Sequence, residues 1–218
     1  MTGFTAFCQD LRFEVKGTYV RPMKEQKLEK AHTLSDVIDG YPVSWIAGYI
    51  SAGISIITGD QVVQAMGIND TLTTAQKELL KSAELGDEII IDVAYTSKNF
   101  ITQGVDMHTL HYTATLVPEH EAEFPGGLEL MTAYLKENAM RKIPDSTFKE
   151  FQQVIIRFTI DEHGEIAKAR FAATSGDPKT DELLLNAINR MPKWRPAVNA
   201  DGVKVKQEFE FSVGGGGC

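Results

Sequence analysis

From Gln153 to Ile160 the chain alternates, with Val154, Ile156, Phe158 and Ile160 on one side of an extended backbone and their neighbours on the other. A period of two is not helical, so this run predicts a strand with one buried face. Asp161-Glu162-His163-Gly164-Glu165 then reads as a hairpin turn, in which Gly164 can take a positive φ. The return strand spans Ile166 to Ala173 and carries Ala169 and Phe171.

The elements around this hairpin emerge from the same patterning. Phe124-Pro125-Gly126-Gly127 opens the region. Leu128, Met131, Leu135 and Met140 recur at roughly helical spacing, and a methionine stripe of this kind reads as core. Ser175-Gly176-Asp177-Pro178 leads into a helix from Lys179 to Arg190, striped with Leu183, Leu184, Ala187, Ile188 and Met191. Asp181 and Glu182 near its start and Arg190 at its end suit the helix dipole. Pro192 stops it, and Trp194, between Pro192 and Pro196, reads either as the anchor that closes a small core or as an exposed recognition aromatic. A last strand alternates Val203, Val205, Phe209, Phe211 and Val213 inward with Lys204, Lys206, Glu208, Glu210 and Ser212 outward.

Three antiparallel strands with helices on one face leave two open edges, and nothing after the final strand covers its side. Unpaired N–H and C=O groups there either aggregate or accept a strand. The expected partner-binding residues are therefore Lys204, Val205, Lys206, Gln207, Glu208, Phe209, Glu210 and Phe211, with the charged ones deterring unwanted pairing.

Residues 124–213 resemble the C-terminal domain of TonB-type energy transducers, in the form common in Bacteroidetes. The resemblance rests on Pro-Gly-Gly at 125–127, the strand–Asp161-x-x-Gly164–strand unit, Ser175-Gly176, Asp181-Glu182 and Met191-Pro192-Lys193-Trp194-x-Pro196, in that order. Ile143-Pro144 stands where the family usually has Tyr-Pro. The resemblance implies a periplasmic module that grasps the "TonB box" of an outer-membrane transporter, or another envelope protein, through the last strand. It also implies the soluble part of an inner-membrane-anchored protein, although the sequence contains neither a membrane helix nor a Pro-rich spacer. An open edge would also allow a homodimer through edge strands.

The first half mixes strands with one or two helices. Leu11, Phe13 and Val15 alternate with Arg12, Glu14 and Lys16 in a strand running to Val20. Met23 to Ile38 carries Leu28, Ala31, Leu34 and Ile38 at helical spacing. Val43 to Ile57 reads as a long bent strand with Gly48 and Gly53 marking a bulge or a close backbone approach, continued by a Thr58-Gly59-Asp60 turn and a strand from Gln61 to Met66. Thr73 and Gln76 have capping-box spacing at the head of a helix to Leu85, which Gly86 stops. Strands at Asp87–Thr96 and His108–Val117 flank a loop. Residues 43–118 resemble the C-terminal β-rich domain of GldM, a gliding-motility and type IX secretion protein, on Leu72 to Ser82 and Gly86-Asp87-Glu88-Ile89. That similarity implies a periplasmic protein–protein interaction module and carries no catalytic residues over.

The expected architecture is α+β: an antiparallel β-rich domain at 1–118, an acidic linker at 119–123, a TonB-like domain of three strands and two helices at 124–213, and a flexible Gly/Cys tail at 214–218. A net charge of −8 argues against nucleic acid and anionic membrane surfaces as partners. Cys8 and Cys218, one near each end, do not read as a disulfide framework. The residues before Cys8, with Thr5-Ala6-Phe7, are too few and too aromatic to support reading it as a lipidated residue. No metal or cofactor site is expected. His108 and His111 would point to opposite faces of a strand, and the other histidines lie in separate elements without zinc spacing. A small metal-assisted hydrolase using His108 or His111 is the enzyme alternative, and a structural subunit of an envelope machine is the other.

Overall fold

A computed structural model describes residues 11–99, 101–144, 147–148 and 152–214. The expectations for Cys8 and for the tail from Gly215 lie outside these residues. The chain divides into two compact units, one of Tyr19–Glu119 and one joining the described parts of Met1–Thr18 and His120–Cys218. Each mixes helices with a sheet, so the α+β class holds.

The Tyr19–Glu119 unit is a five-stranded sheet in the order β2-β6-β5-β3-β4. Its strands are β2 (Pro22–Lys24), β3 (Gly48–Thr58), β4 (Gln61–Gly67), β5 (Glu88–Lys98) and β6 (Val105–Val117). Only the β2–β6 pair is parallel. Ala52, Ile54, Ile56, Ile89, Ile91, Val93, Tyr112 and Ala114 form the buried side of the sheet. Helices α1 (Glu25–Glu29), α2 (Leu34–Val37) and α3 (Thr74–Lys81) bring Leu28, Leu34, Val37, Leu79 and Leu80 to it.

Two elements differ from the sequence reading here. The helix expected over Met23–Ile38 is a short strand and two short helices. Its periodicity is interrupted at Thr33, which takes extended backbone and caps α2. Asp36 Oδ2 accepts from the amides of His32 and Thr33 at 2.9 and 2.8 Å, so local side-chain bonding competes with a continuous helix. The strand expected from Val43 begins at Gly48, because Pro42 starts a 3-10 turn over Val43–Trp45.

The capping box at α3 is formed. Thr73 Oγ1 accepts from the Gln76 amide at 3.2 Å, and Gln76 Oε1 accepts from the Thr73 amide at 2.9 Å. Gln76 is buried, and its side-chain amide also donates to the Ala52 carbonyl at 2.9 Å, tying the helix to the sheet. Gly67 leaves the space for it, since a Cβ there would sit 2.8 Å from Gln76 Oε1. Thr73→Ala is expected to cost ~1 kcal/mol as a lost cap. Gln76→Leu should cost more, ~1–3 kcal/mol, because it leaves buried backbone groups unbonded. Urea unfolding of the two variants checks the ranking.

The second unit holds a four-stranded antiparallel sheet in the order β1-β11-β7-β8. Its strands are β1 (Arg12–Gly17), β7 (Gln153–Ile160), β8 (Ile166–Ala173) and β11 (Gln207–Gly214). Helices α4 (Gly127–Asn138) and α5 (Pro178–Asn189) supply Met131, Leu135, Leu184, Ala187 and Ile188 to one core with Val154, Ile156, Phe158, Phe209 and Phe211. A small antiparallel pair, β9 (Ala197–Val198) and β10 (Lys204–Val205), precedes the last strand.

Trp194 holds this core together and joins two sequence motifs. Its ring packs against Phe124, Phe158 and Phe209 at centroid distances of 5.6, 6.1 and 5.1 Å. Its amide donates to the Gly164 carbonyl at 2.8 Å, docking the Asp161–Gly164 turn onto the Met191–Pro196 segment. Gly164 sits at φ +83°, and a Cβ there would lie 2.0 Å from the Trp194 carbonyl oxygen. Gly164→Ala is thus opposed by both backbone conformation and space, and a drop in thermal midpoint well beyond that of Gly202→Ala is expected. Gly202 shares the positive φ (+78°) but has nothing near its missing Cβ.

Residues 119–123, expected as a solvated linker, are built into this unit from His120 onward. His120 and Val198 exchange backbone hydrogen bonds at 3.0 and 2.8 Å, and Glu123 and Arg195 exchange two at 2.9 Å. Buried Gln207 explains why the segment lies down, because its Oε1 accepts from the Ala122 amide at 2.7 Å and its Nε2 donates to Glu121 at 2.9 Å.

Candidate partner-binding edge

The eight expected partner-binding residues fall into two elements. Lys204 and Val205 pair with Val198 and Ala197 in the small β9–β10 ladder. The chain then breaks at Lys206, and Gln207, Glu208, Phe209, Glu210 and Phe211 belong to β11. The single alternating strand expected from Val203 is therefore two strands in different ladders, and Val203 is exposed rather than buried.

One edge of β11 lies along β7, with Phe209 opposite Phe158 and Phe211 opposite Ile156. The other edge, expected to be open, is occupied by β1. The register runs from Arg12 opposite Gly214 to Gly17 opposite Phe209. Thr18 extends the contact, its amide donating to the Glu208 carbonyl at 3.2 Å. Position in the chain places β1 with the first-half elements, yet it folds with the last strand.

β1 sits lightly on this edge. It is six residues long, and only Gly17 is fully buried. Phe13 and Val15 are half-buried against the core, with the Phe13 ring 6.5 Å from that of Phe211. Lys16 lies opposite Glu210, whose carboxylate accepts from Arg157 Nε at 3.3 Å. The occupant of the edge is thus an extended segment with alternate apolar residues and a cation facing Glu210.

The outer edge of the sheet at β8 is guarded. Lys168 takes a left-handed conformation (φ 54°), the β7–β8 register slips beside it, and Lys168 and Arg170 put charge along the strand.

The histidines of the enzyme alternative lie in the other unit. His108 stacks on Tyr95 at 5.4 Å, with its Nε2 2.8 Å from Ser97 Oγ. His111 Nδ1 is 2.6 Å from Asp92 Oδ1. No group of three or more His, Cys, Asp or Glu side chains that could hold a metal occurs among the described residues. No helix among them is long and apolar enough to cross a membrane.

Comparison with known proteins bears on the second unit. Residues 130–213 match the family model described as TonB C terminal, which takes in α5, the Trp194 segment and β11 up to Val213. The match covers part of the second unit, and β1 and the Tyr19–Glu119 unit lie outside it. No curated protein and no solved structure matches the chain.

Proposed function

We propose that this is a periplasmic, TonB-like protein that binds an outer-membrane transporter, or another envelope protein, by strand addition along β11 as part of energy transduction to transport. The site is Gln207 to Phe211 and its continuation to Gly214. Lys204, Val205 and Lys206 flank it and shape the approach rather than pair with the partner. The reading is supported above all by β1, because an extended segment of this chain already lies antiparallel along that edge. In this reading β1 holds the place of the partner, and the entering segment displaces it.

The exchange is close to balanced. Each main-chain bond that β1 gives up is remade by the incoming strand, so the net cost lies in the half-buried side chains that leave. The entering segment should resemble β1 in chemistry, with apolar residues at alternate positions and a cation opposite Glu210.

The test titrates a synthetic TonB-box peptide into the full chain while recording amide chemical shifts. Shifts over 207–214, with loss of the strand signature at 12–17, are expected. No change at about millimolar peptide, or changes confined to 19–119, would defeat the reading. Phe13→Asp with Val15→Asp removes the apolar hold of β1. It should tighten peptide binding about tenfold or more, the equivalent of ~1.4 kcal/mol, measured by calorimetry.

A further inference from the structure

β4 is the outermost strand of the five-stranded sheet, paired only with β3. The other outer strands of the two larger sheets are defended. β2, at the opposite edge, is three residues long and begins with Pro22. β8 is bulged and basic, and β1 alternates Arg12, Glu14 and Lys16. β4 has none of these devices. Its seven residues, Gln61-Val62-Val63-Gln64-Ala65-Met66-Gly67, carry no charge and no proline. No register slip interrupts its pairing with β3. Val62 and Met66 are 63% and 55% exposed, and Ile68 just beyond is 79% exposed. An uninterrupted, uncharged edge of this length, rich in exposed apolar residues, is either covered or aggregates.

The hydrogen-bonding phase of the hairpin says which backbone groups are available. Gly59 and Asp60 form a two-residue turn with Gly59 at φ +59°, closing on the Thr58–Gln61 pair. Hydrogen-bonded and non-bonded pairs alternate from there. Val62, Gln64 and Met66 therefore turn their N–H and C=O groups away from β3, toward the open edge. A two-fold axis at Gln64 sets Gln64 opposite Gln64 of a second copy, and Val62 opposite its Met66. All three outward-facing residues then bond in pairs, exposed apolar side chains meet, and the two amides can bond each other. Charge permits it despite the net −8, since β4 itself carries no acid and Asp60 and Asp70 lie outside the paired strand.

We infer that β4 pairs antiparallel with β4 of a second copy of this chain, centred on Gln64, joining two five-stranded sheets into one. One strand edge is smaller than a standard stable interface, so a dimer with Kd on the order of 10–100 µM is expected.

The test is sedimentation equilibrium of the full chain under reducing conditions, up to ~1 mM to cover that range, with two double variants. Val62→Lys with Met66→Lys places cations opposite each other and should leave only monomer. Val62→Lys with Met66→Glu places opposite charges across the same axis and should restore the dimer. Circular dichroism confirms folding, and because both sites are exposed on an edge each variant should pass. A wild-type monomer throughout the range overturns the inference. So does a dimer that survives the lysine pair, which would place the contact elsewhere, or a lysine–glutamate variant that stays monomeric, which would reject this register.

Discussion

Trp194→Ala is expected to destabilise the second unit severely, by roughly a third or more of the stability of an average domain. Trp194 is 4% exposed and touches Phe124, Phe158 and Phe209, residues from a loop, β7 and β11. Removing a buried aromatic of this size typically costs ~3–5 kcal/mol, against a whole-domain stability of ~5–15 kcal/mol. The control is Trp194→Phe. The indole Nε1 is buried and has no hydrogen-bond partner among the described residues, so deleting it strands no acceptor. Trp194→Phe should therefore lose only part of the packing and keep a cooperative transition. Near-UV circular dichroism with urea unfolding distinguishes them. Equal losses would mean that the N–H contributes through a bond absent from this geometry. A small loss for Ala would mean that the core closes without the ring.

Much of the second unit is legible in the sequence because its signals are local. The alternation at Val154–Ile160, the turn after it and the helix expected from Lys179 to Arg190 each specify their own backbone, and the structure has all three, the helix starting at Pro178 and ending at Asn189. Joining them needs information the local pattern lacks. Nothing around Gly164 announces that its missing side chain makes room for the Trp194 carbonyl, nor around Gln207 that a polar residue on the inward face bonds Ala122. Gln207, as an exception to the alternation, is the one visible sign that Glu121–Glu123 is not a solvated linker. β1 is legible as a strand but not as a neighbour of β11, since period-two patterning sets a face and not a partner. The edge of β11 looks open in the sequence for the same reason: no later strand covers it, while the strand that does lies near the start of the chain. The helix over Met23–Ile38 fails differently, because an apolar period of three to four is outweighed by the Thr33–Asp36 cap.

Locking β1 onto β11 should abolish binding of a TonB-box peptide, and releasing the lock should restore it. Glu14 and Ser212 face each other in the register, on the side of the strands away from Phe13, Phe211 and Val213. Directly opposed residues in antiparallel strands have Cα atoms about 4.5–5.5 Å apart, inside the span a disulfide needs. The variant carries Glu14→Cys and Ser212→Cys, with Cys8 and Cys218 changed to serine so that no other thiol competes. Oxidised, it cannot vacate the edge, and peptide affinity should fall at least a hundredfold. Reduced, the same molecule should bind as the serine-only parent does, which separates the lock from any effect of the substitutions. If the oxidised protein binds as tightly as the reduced one, the partner does not enter between β1 and β11. The outer edge of β1 or the Tyr19–Glu119 unit would then be the surface to examine. If the oxidised protein is merely slower to bind, with the same final affinity, the incoming strand adds outside β1, and displacement is the step that fails. Loss of affinity that reduction reverses is the outcome that ties partner binding to departure of β1.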